Sequence, residues 1–172
     1  MLGAFRSHSA DSLLIEKGEG IGMPMTTDWG KAQQKAARTA KWTVTMAKVR
    51  IRRVLARTRW QLVSFYGPRG RESVGVVDLL AVRKDHGSPK PGMKRGDALQ
   101  IILIQVKGGG SAMPTAEDAR RLRAVAKRHR AEQSLLAIWK KGKAARFLRL
   151  QARGYAGESD WTKITNLNVV FR

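Results

Sequence analysis

The apolar positions of this chain change period several times, and each change marks an element. Between residues 30 and 58 they recur at spacings of three and four. Val44, Ala47, Ile51, Val54 and Leu55 carry the pattern, with Lys48, Arg52, Arg53 and Arg57 between them. That period is one face of an α-helix. Ala32, Ala36 and Ala37 extend good helix-forming sequence upstream, while the β-branched Thr43 and Thr45 weaken it. The stripe predicts a helix whose apolar side packs on a core and whose basic side meets solvent or phosphate. Strand-like runs follow. Trp60 to Tyr66 is stopped by Gly67-Pro68-Arg69-Gly70, and Ser73 to Val82 is rich in valine and leucine. Residues 84 to 97 form a polar connection longer than an ordinary hairpin loop. Leu99 to Lys107 is almost wholly apolar until its end, the pattern of a strand covered on both faces, and Gly108-Gly109-Gly110 ends it.

A second helix is announced by its cap. Thr115 stands three residues before Asp118, in the spacing of a capping box, and Glu117 and Asp118 fall in the first turn. Ala119, Leu122, Val125 and Ala126 form its apolar stripe. Ser134 to Trp139 reads as a fourth strand, Arg146 to Leu150 as a fifth, and Ile164 to Phe171 as one more. A helix, three strands, a helix and further strands predict an α/β fold with a mixed α+β sheet and helices packed on it. No internal repeat is visible.

The 172 residues suffice for one domain with a real core. Residues 1–28 differ from the rest: they are rich in Gly and Ser and hold four acids against two bases. They are expected to form a flexible N-terminal tail, ahead of a basic domain over 29–172. The run of Gly18, Gly20 and Gly22 follows no convincing strand and is poor support for a phosphate loop. The chain holds no cysteine, which excludes disulfides, thiolate metal sites and cysteine nucleophiles. His8, His86 and His129 are too far apart for a helical metal pair. No apolar run approaches the ~20 residues that span a bilayer, and the start does not read as a secretory signal. A cytoplasmic protein with no membrane partner is expected.

Charge changes the picture most. The net charge is +21, and from Trp29 to Arg71 there are twelve bases and no acid. A domain so basic repels itself unless a polyanion is near, and nucleic acid is the default partner. Arg52, Arg53 and Arg57 on the first helix, and Arg120, Arg121, Arg123, Lys127 and Arg128 on the second, are the candidate phosphate contacts. The plainer reading of each is solvated surface.

Candidate chemistry lies where charge interrupts the apolar strands. With a period of two, Asp78 shares a face with Val76, Leu80 and Val82. An ionised carboxylate there is costly without a cation or donors. Gln105 and Lys107 share one side of the next strand, about 6–7 Å apart. If the two strands are neighbours, Asp78, Gln105 and Lys107 converge. A carboxylate, an amide oxygen and an ammonium at strand ends suit metal-assisted phosphodiester hydrolysis. Asp78 would be the charged ligand of Mg²⁺ or Mn²⁺, with the Gln105 side-chain oxygen and the Val106 carbonyl as neutral ligands. Lys107 would orient the attacking water or offset developing charge. The competing reading is a structural Asp78–Lys107 ion pair.

Gly75-Val76-Val77-Asp78, followed by Gln105-Val106-Lys107 at the end of the next apolar strand and then by a helix, resembles the PD-(D/E)XK nuclease superfamily. More narrowly it is similar to archaeal-type Holliday junction resolvases and to Mrr-type restriction endonucleases, which commonly place Gln where Gln105 stands. The resemblance implies a restriction-endonuclease-like core of helix, three strands, helix and strand. It implies catalytic roles for Asp78, Gln105 and Lys107 in a magnesium-dependent endonuclease acting on DNA in recombination or repair. A branched junction with two strands to cut calls for a homodimer. The chain departs from the pattern in two ways. Val77, not Pro, precedes Asp78, and residues 29 to 71 lack the acid that many relatives carry on the first helix. Glu72 and Glu117 are the alternative sources of a second carboxylate; their plainer roles are a turn residue and a helix-start acid. Three other readings stand beside the structure-selective nuclease: a restriction-type enzyme on duplex DNA, a non-catalytic nucleic-acid-binding protein on the nuclease fold, and a basic RNA-binding protein.

Overall fold

The computed structural model describes residues 26–65, 75–87, 89, 91–108, 110–111, 113–151 and 160–172. The glycine run at 18–22, the stop at 67–70 and Glu72 lie outside them. The first helix, α1, spans Thr26–Leu55 and so begins inside the segment 1–28 set apart above. Strands β1 (Gln61–Ser64), β2 (Leu79–Lys84) and β3 (Leu99–Gly108) follow. Helix α2 covers Ala116–Arg128, and β4 (Gln133–Trp139), β5 (Arg146–Leu150) and β6 (Trp161–Ile164) complete the strands. Through β4, this is the order that the resemblance implies.

The strands form one six-stranded sheet in the order β1-β2-β3-β4-β5-β6. Every neighbouring pair is antiparallel except β3 and β4, which run parallel. A parallel pair needs a crossover, and α2 supplies it. The sheet is therefore mixed, with a helix against each face. Alternation along β3 sorts the two cores. Ile102 and Ile104 join Ala47, Ile51 and Leu79 in the layer under α1, whereas Leu103 joins Ala119 and Leu122 in the layer under α2. β3 and β4 are the most deeply covered strands, and Leu135 and Leu136 have no exposed surface. No helix among the described residues is long and apolar enough to cross a membrane.

Several expected boundaries move. The strand expected over Trp60 to Tyr66 is shorter; Trp60 precedes it and is buried under an edge contact from Phe171. The strand expected from Ser73 starts its ladder at Leu79, so Asp78 stands just before β2. The last strand ends at Ile164 rather than starting there. The Asn166 side chain accepts the Asn168 N–H and caps a single 3-10 turn, Leu167–Val169. That turn sends Leu167, Val170 and Phe171 into the α1-side core, which an alternating strand would not do. At α2 the expected capping box is complete: Thr115 Oγ1 accepts from the Asp118 N–H at 3.1 Å, and Asp118 Oδ2 accepts from the Thr115 N–H at 3.2 Å.

Candidate active site at the end of the central strands

β2 and β3 are neighbours, and their register pairs Leu79 with Ile104. One step further sets Asp78 beside Gln105. Asp78 stays hydrogen-bonded to β3 just outside the ladder, its N–H donating to the Ile104 carbonyl at 3.0 Å. The Asp78 carboxylate is then caught by the adjacent backbone: the Val106 N–H donates to its Oδ2 at 2.6 Å. A charged acceptor makes this one of the stronger classes of hydrogen bond. Val106 was expected to offer its carbonyl; the contact it makes to Asp78 is through its N–H.

Asp78, Gln105, Val106 and Lys107 line one cleft of about 510 Å³. Its other wall is the stretch of α1 from Ala32 to Val44, through Ala32, Lys35, Ala36, Thr39, Ala40, Thr43 and Val44. Gln105 is 6% exposed, and its Oε1 has no hydrogen-bond partner. A buried acceptor left without a donor costs about 1–3 kcal/mol. A cation held beside the Asp78 carboxylate would give this oxygen its partner. The donor set therefore fits a hard divalent ion, with one charged and one neutral oxygen from side chains. Among the described residues no three His, Asp or Glu side chains cluster in a way that could hold a metal.

Lys107 leaves β3 on the α2 side. Its Nζ lies 4.0 Å from Asp118 Oδ2, with both side chains partly exposed. Among the described residues Lys107 thus has an ionic partner in Asp118. Asp118 was noted in the sequence only as a capping residue. Its spacing to Thr115 identified the helix start, and the short β3–α2 crossover is the signal that would have brought it to Lys107. Glu117, one position earlier, faces away and pairs with Arg120 on the exposed side of α2.

Gly108 fixes how closely α1 can approach. A Cβ there would fall 2.7 Å from Thr43 Cβ and closer still to the rest of that side chain. Thr43 is 2% exposed, and its hydroxyl donates to the Thr39 carbonyl at 2.8 Å. The first glycine of the expected strand stop is therefore the residue that lets the helix cross the strand end.

The candidate phosphate contacts separate into groups. Arg52 and Arg53 lie in the last turn of α1 and Arg57 just past it, all exposed and at the opposite end of β2 from Asp78. Arg121, Lys127 and Arg128 are exposed on α2, as is Arg120 beside Glu117. Arg123 differs. Its guanidinium nitrogen sits 3.1 Å from Oδ1 of Asp160, which has no exposed surface, and its Nε donates to the Gln151 carbonyl at 3.0 Å. The N–H does not point along the line to that oxygen, so the contact is an ion pair without a hydrogen bond. Arg123 is anchored inward, and the sequence held no sign of this because Asp160 is 37 positions away.

No family model matches the chain, and no curated protein matches it. Among solved structures the chain is similar to a Holliday junction resolvase of the archaeal hyperthermophile Archaeoglobus fulgidus, at 15% identity and a TM-score of 0.43. The match covers 75% of this chain and 99% of that one.

Proposed function

We propose that this chain is a metal-dependent endonuclease that hydrolyses phosphodiester bonds in DNA, selecting its substrate by structure, in the manner of a junction resolvase. One observation carries the reading: Asp78, Gln105 and Lys107 line one cleft at the end of the central strands, and the Gln105 side-chain oxygen is buried there without a hydrogen-bond partner. Asp78 and Gln105 would hold Mg²⁺ or Mn²⁺. When bound, such an ion polarises a phosphoryl oxygen and lowers the pKa of a coordinated water. The Val106 N–H keeps the Asp78 carboxylate oriented. The Lys107 ammonium, drawn toward Asp118, holds positive charge at the cleft edge, where it would orient the attacking water and offset negative charge developing on the phosphate. The basic surface binds the remaining phosphates.

A second reading, a DNA-binding protein without catalysis, is favoured by the α1 wall of the cleft. Among the described residues that wall is built of alanines, threonines, one valine and one lysine, with no carboxylate. A single charged ligand holds a divalent ion weakly.

The deciding experiment incubates a labelled four-way junction and a matched linear duplex with the protein in Mg²⁺, Mn²⁺ or EDTA. The expected result is metal-dependent cutting, strongest on the junction and lost in Lys107→Ala. Equal cutting of both substrates would point to a restriction-type enzyme. Tight, salt-sensitive binding with no cutting in either metal would establish the non-catalytic reading.

A further inference from the structure

A second cavity, of about 900 Å³, opens at the far end of β2. Its lining includes Arg53, Arg57, Arg59, Arg83 and Lys84. Among the described residues Asp85 is the one acidic side chain there, and its Oδ1 is engaged by the Gly87 N–H at 2.9 Å. The end of α1 also borders the cavity, and helix C-terminal carbonyls repel anions. Here the Leu55 carbonyl is covered, accepting the Thr58 N–H at 2.8 Å and the Thr58 hydroxyl at 2.9 Å.

Arg83 is the most firmly held of the cations. Its guanidinium lies over the Trp60 ring, 4.6 Å from the centroid, and its Nε donates to Gln100 Oε1. Trp60 is fixed in turn: it is 5% exposed and meets Phe171 edge to face, with centroids 5.9 Å apart. An arginine stacked on a buried ring, with Nε already committed, has given up its rotamer freedom before any ligand arrives. Its terminal amino groups are then pre-organised for a planar, two-point grip on an oxyanion.

We infer that this cavity is an anion site for phosphate groups, with Arg83 at its base and Arg57, Arg59 and Lys84 around it. The site stands apart from the candidate active site, roughly 20 Å from Asp78 along β2, and does not depend on catalysis there. Its volume is that of a small-molecule site, which run about 300–1,000 Å³. The phosphate belongs either to a nucleic-acid backbone or to a free phosphate-bearing compound; the recognition chemistry is the same.

Inorganic pyrophosphate and a short DNA duplex serve as probes. Each is titrated calorimetrically into the full chain, singly and in competition, and into Arg57→Ala/Arg59→Ala and Arg83→Lys. Thermal melts check that the variants fold, and the exposed double variant guards against a folding defect at Arg83. Pyrophosphate binding is expected to weaken about tenfold or more in both variants. Loss in Arg83→Lys, which keeps the charge, marks a built site rather than diffuse attraction. If pyrophosphate also competes with the duplex, and the double variant flattens the salt dependence of duplex binding by about 1.8 in log–log slope, the source is nucleic acid. If pyrophosphate binds while the duplex is indifferent to it and to the variants, the source is a free phosphate compound. Pyrophosphate that fails to bind the parent chain, or binds both folded variants as well as the parent, overturns the inference.

Discussion

Asp118 Oδ2 lies 4.0 Å from Lys107 Nζ and also accepts the Thr115 N–H, so one oxygen ties the end of β3 to the start of α2. The start of the crossover helix and the position of the candidate catalytic lysine are therefore coupled. The ion pair alone is partly exposed and contributes at most about 1 kcal/mol. Its value lies in where it holds the ammonium.

Asp118→Asn retains an acceptor for the cap and loses the charge. Its stability in urea should stay within about 0.5 kcal/mol of the parent. Its cleavage rate should fall only when Lys107 is present. Asp118→Ala removes the cap as well and should cost about 1 kcal/mol. If Asp118→Asn lowered cutting equally in a Lys107→Ala background, Asp118 would not act through the lysine.

Lys107→Ala should lower the cleavage rate about 10²-fold or more, the scale of a lost positioned group, with duplex affinity little changed. Asp78→Asn can still accept the Val106 N–H, so its melting temperature should hold while metal-dependent cutting disappears. Asp78→Ala leaves the Val106 amide without that partner and should add a stability loss of about 1–3 kcal/mol. A large melting-temperature drop in Asp78→Asn would mark the carboxylate as structural.

Gly108→Ala should destabilise by about 1–3 kcal/mol, because its Cβ collides with Thr43 beneath α1. Thr43→Gly should cost about 1–2 kcal/mol alone, mostly from the buried side chain it removes, with a few tenths from helix propensity. Combined, the two should cost less than their sum, since the collision is gone. Additive losses in a denaturant double-mutant cycle would show that α1 does not rest on Gly108.

Arg123→Ala leaves the fully buried Asp160 without its cation and should cost about 3–5 kcal/mol. Replacing both by apolar residues should recover most of that. In DNA titrations Arg121, Lys127 and Arg128, once neutralised together, should flatten the salt slope by about 2.7. Arg123 should contribute little to that slope. A full phosphate-like contribution from Arg123 would contradict its inward anchoring.

That Asp78, Gln105 and Lys107 fall at one end of the central strands and line one cleft is legible in the sequence, because period-two alternation is local and charges interrupting apolar strands stand out. The element order and the α2 capping box are legible for similar reasons. What escaped depends on contacts between distant segments. Lys107 meets Asp118 only once the crossover closes, and Arg123 meets Asp160 only once β5 and β6 are laid down. Around the 3-10 turn at Leu167 the sequence predicts strand, because Val169, Val170 and Phe171 are good strand formers. Packing against α1 overrides that preference.

The 30-residue α1 is about 45 Å long, yet from Asp28 onward its buried residues, Thr43, Val44, Ala47, Ile51 and Leu55, lie in its C-terminal half. It is one helix with two stabilities. Amide hydrogen exchange should be slow from Thr43 onward and rise steeply toward Trp29, where no core contact resists fraying. The fast-exchanging half is the wall of the Asp78 cleft that carries Ala32, Ala36 and Ala40. A bulky polyanion could thus be admitted by unwinding a few solvated turns, while the sheet that carries Asp78, Gln105 and Lys107 stays rigid.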